Sequence, residues 1–157
     1  ILLSSANATT QNLTVSGNVT SASQAAYATW LASYPSLTGN ATLGTADPDS
    51  DGFNNSMEFA FDGNPTAMTP RLLNSQSSGG NMTISFVARN TNPPGVTYQV
   101  QSTINLVTGF AVDNTVNVIP SSDQTGILLP SQYQRREFTV PVPAGKVFYR
   151  VNATIQP

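Results

Sequence analysis

Twelve consecutive residues, 47 to 58, hold four of the eight carboxylates in this 157-residue chain. Counted from Asp47, acids stand at positions 1, 3, 5 and 12 (Asp47, Asp49, Asp51, Glu58), glycine at 6 (Gly52) and an amide at 9 (Asn55). Ca2+ is a hard cation that takes about six to eight oxygens. Alternate acids on a tightly curled backbone bring their oxygens to one point, and a Glu on the following helix closes the shell with two more. The spacing predicts that Asp47, Asp49 and Asp51 each supply a carboxylate oxygen and Phe53 its backbone carbonyl. Asn55 then ligates directly or through water, and Glu58 gives both oxygens. The alternative is an acidic, solvated turn, against which stands the concentration of half the chain's acids in one stretch.

The flanks have helical spacing. Tyr27, Trp30, Leu31 and Tyr34 recur at i, i+3, i+4 and i+7, with Ser21 or Ser23 placed to cap the start and Pro35 to stop the end. Phe53, Met57, Ala60 and Phe61 repeat the pattern after the loop, with Gly63 and Pro65 as a C-terminal stop. The aromatic stripe reads as the packing face of a helix resting on the loop, with a ligand platform as the less economical use. Residues 21–67 are therefore expected to form a helix, calcium loop, helix module.

From residue 68 the period is two. Met82, Ile84, Phe86 and Ala88 form one set, Val96, Tyr98 and Val100 a second, Phe138, Val140 and Val142 a third, and Val147, Tyr149, Val151, Ala153 and Ile155 a fourth. Weaker strand patterns cover 70–74 and 112–119, and Gly- and Pro-rich turns separate the sets. This spacing predicts an antiparallel β-sandwich over 68–157, so the chain is expected to be mainly β with a small α module.

With Trp30-Leu31 and Tyr34-Pro35 upstream and Glu58-Phe59-Ala60-Phe61-Asp62-Gly63-Asn64-Pro65 downstream, the loop resembles the single calcium loop, similar to thrombospondin type 3 and dockerin loops, of secreted bacterial surface proteins. In those proteins such a loop often precedes a small β-sandwich. The resemblance covers about residues 27–67 and implies a structural Ca2+, and the single loop departs from the paired loops of dockerins.

Residues 1–20 stand apart. Leu13, Val15, Gly17 and Val19 alternate with polar residues as one lone strand that needs a sheet to join. It is similar to the donor strand of pilins, which completes the sandwich of the next subunit; an ordinary first strand or a linker is the alternative. Seven Asn-X-Ser/Thr sequons occur, at Asn7, Asn12, Asn18, Asn40, Asn54, Asn81 and Asn152. All but Asn54, which sits inside the metal loop, are candidate glycosylation sites.

Charged residues make up only 9%, and the net charge is −2, with Arg135-Arg136 the only adjacent basic pair, so a nucleic-acid partner is not expected. No apolar run is long enough to span a bilayer. With no Cys, disulfides cannot staple the fold, and calcium would take that role. No His is present, and Asp62, Asp113, Asp123 and Glu137 are dispersed, so the chain is expected not to be an enzyme. The start at Ile1 without Met fits a processed, exported chain. Two functions follow as expectations. One is an extracellular or cell-surface structural subunit that self-associates head to tail through its N-terminal strand into a calcium-stabilised filament. The other is a calcium-stapled sandwich used for adhesion or carbohydrate binding.

Overall fold

The computed structural model describes residues 21–68, 73–90, 96–125, 128–142 and 144–155, with the backbone of a short strand pair nearer the N-terminus. That pair joins β1 (Leu2–Leu3) to β2 (Gln11–Asn12) antiparallel. The expected assembly strand carrying Leu13, Val15, Gly17 and Val19 lies outside the described residues, as do Asn7 and Asn18.

Helix α1 spans Ala22–Leu31 and is capped by Ser21: its hydroxyl accepts from Gln24 N, and the Gln24 side chain accepts from Ser21 N, a reciprocal box that satisfies two donors. The helix ends three residues before the expected Tyr34, in turns closed by Ser33 N to Trp30 O and Tyr34 N to Leu31 O. Helix α2 is short, Asn55–Phe61, with Asn54 as its cap accepting from Met57 N. Its C-terminal residue in the left-handed region is Asp62 (φ 61°), where the sequence pointed to Gly63.

Nine strands in all are present among the described residues, and those after the helices form two antiparallel sheets. One orders β3 (Leu73–Ser78), β4 (Asn81–Arg89), β8 (Tyr133–Pro141) and β7 (Ile119–Pro120) as β3-β4-β8-β7. The other orders β6 (Ala111–Val112), β5 (Val96–Thr103) and β9 (Phe148–Ile155) as β6-β5-β9. Period-two alternation decides the faces: Ile84, Phe86, Ala88, Phe138 and Val140 from the first sheet meet Val100 from the second in one buried cluster, with Tyr98, Tyr149, Val151 and Ala153 packed against it. This is a small β-sandwich, mainly β as the sequence predicted.

Ala60 and Phe61 of α2 belong to the same cluster. Phe61 stands edge-on to Phe86 and Tyr98, at ring-centroid distances of 6.0 and 5.5 Å. Two tyrosines tie the helix end to the sheets. Tyr98 Oη donates to Ala60 O at 2.6 Å and accepts from Arg89 N at 2.8 Å; Tyr133 Oη donates to Phe59 O at 2.9 Å. These carbonyls belong to the last turn of α2, which has no partners of its own to offer them.

Burial pushes the Tyr98 hydroxyl up to about 12, against the pull of its Arg89 N–H bond and the charges of Arg136 and Arg89. The unfolded chain releases that proton near 10.0. Stability is therefore held below pH 10.0 and falls as pH rises towards about 12. Tyr98→Phe strands the Ala60 carbonyl and the Arg89 amide, so it is expected to cost about 1–3 kcal/mol in urea unfolding at neutral pH. The variant should also show a smaller stability loss above pH 10.0 than the native chain. Equal stability of the two proteins at neutral pH would show that the hydroxyl does not anchor α2.

Candidate metal centre

The loop between the helices is held at both ends by backbone bonds: Asn55 N donates to Ala46 O at 2.8 Å and Ser56 N to Gly44 O at 2.9 Å. Inside it, each aspartate uses one oxygen to fold the backbone around itself. Gly52 N donates to Asp47 Oδ2 (3.0 Å), Asp51 N to Asp49 Oδ1 (3.3 Å) and Phe53 N to Asp51 Oδ1 (2.8 Å). Two residues take positive φ to make the curl, Ser50 at 62° and Gly52 at 95°. For glycine this conformation is free of strain; for Ser50 it costs about 1–2 kcal/mol, which the surrounding bonds must hold in place.

One carboxylate oxygen from each of Asp47, Asp49 and Asp51 lies within 4.8 Å of the other two. Oxygens sharing a Ca2+ at about 2.3–2.6 Å are separated by at most about twice that, so the three fit a single hard cation. Two further oxygens of this segment are left without donors. Asp49 Oδ2 and Asn55 Oδ1 are buried and accept no hydrogen bond. Asn55 has 0% exposure, and its amide nitrogen is already committed to Ala41 O and Leu43 O, both at 2.8 Å. That fixes which end of the amide is the acceptor left over.

Glu58 is also fully buried, in the first turn of α2. It is not one of the three-carboxylate group. Its stem is pressed by Gly63: a Cβ there would stand 2.8 Å from Glu58 Cβ and Cγ. Gly63 is thus a close-approach residue as well as part of the C-terminal stop, where its N donates to Glu58 O at 2.8 Å. Burial pushes the Tyr27 hydroxyl up, against the pull of the Asn55 side chain and with the Glu58 charge adding to it, and the hydroxyl donates to Thr42 O at 3.1 Å. Asn54, a sequon residue, is committed to the α2 cap.

Three of the other acids are separately engaged. Asp113 accepts from Thr115 and Ser102, Asp123 from Thr125 with Arg135 at 3.1 Å, and Glu137 from Ser121. Arg135 and Arg136, adjacent in sequence, go to opposite faces of β8, Arg136 lying 5.5 Å over the Tyr98 ring. Arg89 is a residue the sequence reading passed over, a buried guanidinium 4.0 Å over the Phe59 ring. Its position at the end of an alternating strand carried no signal of burial. No helix among the described residues is long and apolar enough to cross a membrane. Comparison with protein-family models, curated proteins and solved structures returns no match for this chain.

Gly63→Ala is expected to force the Glu58 stem aside and to lower stability by about 1–3 kcal/mol in thermal or urea unfolding. A melt identical to that of the native chain would show that Glu58 is not held by this contact.

Proposed function

We propose that this chain is a non-enzymatic extracellular structural module in which Ca2+ is the staple. The observation that carries the reading is Asn55, at 0% exposure with both amide hydrogens spent and its carbonyl oxygen left unbonded at the ninth position of the acidic loop. A buried oxygen without a donor is costly, by about 1–3 kcal/mol, and a cation at the aspartate cluster would satisfy it. Asp47, Asp49, Asp51, Asn55, the Phe53 carbonyl and Glu58 form the ligand set, and the ion supplies cohesion and charge neutralisation. At a calcium concentration about one hundred times Kd, binding adds about 2.7 kcal/mol to stability.

In the same reading the chain is a filament subunit that adds residues 10–20 to a neighbour's sheet. What supports this is the edge of β9: among the described residues its eight-residue length pairs only with β5. An edge of that length offers unpaired backbone groups to an incoming strand. Leu13, Val15 and Val19 would continue the inward row of Tyr149, Val151 and Ala153, each contributing about 1.5–3 kcal/mol before ordering costs, and Gly17 would sit between them. Because the donor and acceptor patches differ, such addition extends head to tail. Glycans, in this reading, occupy exposed sequons such as Asn40 and Asn81, together with Asn152 and Asn12, and spare Asn54; glycopeptide mass analysis checks the assignment.

EDTA is expected to lower Tm by about 5–10 °C, and Asp49→Ala to melt at the EDTA value and to be indifferent to added Ca2+. A melt unchanged by EDTA removes calcium from the account. For assembly, the chain lacking residues 1–20 should remain monomeric in size-exclusion chromatography while the full chain polymerises, and Val15→Asp should weaken polymers without altering the calcium response. A full chain that stays monomeric at all concentrations ends the filament reading.

A further inference from the structure

A cavity of about 420 Å³ opens between the end of α1, the end of α2 and the start of β8, away from the acidic loop. That volume falls within the range of about 300–1,000 Å³ usual for small-molecule sites. One wall is aromatic. Trp30 is clamped by three rings, with centroids 5.7 Å from Tyr27, 5.6 Å from Phe59 and 5.1 Å from Tyr34, and Trp30 and Tyr34 both line the space. Rings held this rigidly offer a flat apolar face at little entropic cost.

The other walls are polar and carry both hydrogen-bonding senses. Asp62 contributes acceptors, Arg89 only donors, and Gln132 one of each. Arg89 is immobile: it is 5% exposed, its guanidinium lies between the Phe59 and Tyr133 rings at 4.0 and 4.9 Å, and Nη1 donates to Tyr133 Oη at 2.9 Å. Its Nε has no acceptor. A carboxylate and a guanidinium in one wall cancel in charge, which disfavours an anionic ligand. They match a pair of neighbouring hydroxyls, where one hydroxyl donates to Asp62 and the oxygens accept from Arg89 and Gln132. An apolar ring face opposite such a diol edge is the surface of a pyranose.

We propose that this cavity binds a neutral saccharide, stacked on Trp30 and Tyr34 and hydrogen-bonded by Asp62, Arg89 and Gln132. The site shares no residue with the calcium ligands and depends on neither the metal nor the assembly reading. It puts to use part of the aromatic stripe of α1: Trp30 packs on Phe59 and also lines the cavity, together with Tyr34.

Trp30 is the only tryptophan in the chain, so its emission reports this site directly. The full chain, with Ca2+ present, would be titrated with cello-, manno- and chito-oligosaccharides to about 10 mM, ten times a Kd of about 1 mM. At least one series is expected to give a saturable shift in Trp30 emission. Asp62→Asn, which keeps the left-handed conformation that Asn tolerates, and Gln132→Ala are each expected to weaken that binding about tenfold or more, with unchanged melts. Polygalacturonate serves as the acidic comparison. No saturable shift with any neutral series, unaltered affinity in both variants, or equal binding of the acidic polymer would each overturn the proposal.

Discussion

Helix α2 cannot stand alone. At seven residues it is well short of the roughly 12–15 at which an isolated helix becomes even marginal in water, so its existence depends on what it packs against. The dependence is concentrated at its C-terminal turn, where Tyr133 and Tyr98 bring hydroxyls to the carbonyls of Phe59 and Ala60 while Phe61 enters the sandwich core. Asn55 and Glu58 ride on the same helix, six and three residues before Phe61. The link between the helices is therefore tied to the sandwich: sheets position tyrosines, tyrosines hold the helix end, and the start of the helix bonds through Asn55 to Ala41 O and Leu43 O.

Charge is handled in two unlike ways in this part of the molecule. The acidic loop gathers four of the chain's eight acids, and its repulsion is tempered by backbone N–H groups donated to Asp47, Asp49 and Asp51. The proposed Ca2+ would complete that balance. Arg89, by contrast, is buried between the Phe59 and Tyr133 rings, where the aromatic faces and the Tyr133 hydroxyl substitute for water. The cavity beside that guanidinium exists because α1 turns off at Leu31 and leaves Trp30 and Tyr34 facing the end of the sheet.

Much of this was legible from spacing. The curl over residues 47–53 appears, with its three aspartates close together, because the short-range spacing dictates which N–H reaches which carboxylate, two to five residues away. The strands at 81–89, 96–103 and 148–155 follow their period-two sets because a half-buried strand leaves that mark in sequence. The weak pattern over 112–119 resolves into two pairs of residues, Ala111–Val112 and Ile119–Pro120, since Val116 and Val118 pack on the core from a loop without ladder partners of their own.

What the sequence by itself determined was local: the cation-loop spacing, the Ser21 cap, the alternation of the strands and the positions of the turns. Tertiary structure alone decided that Gly63 serves as the floor under Glu58, that Asp62 and not glycine takes the left-handed turn, and that Arg89 goes inward. It also decided which carbonyls the tyrosines would find. The reason is separation along the chain. Tyr98 meets Ala60 across 38 residues and Tyr133 meets Phe59 across 74, and contacts at that range are chosen by how the sheets stack, a choice to which no short-range spacing is sensitive.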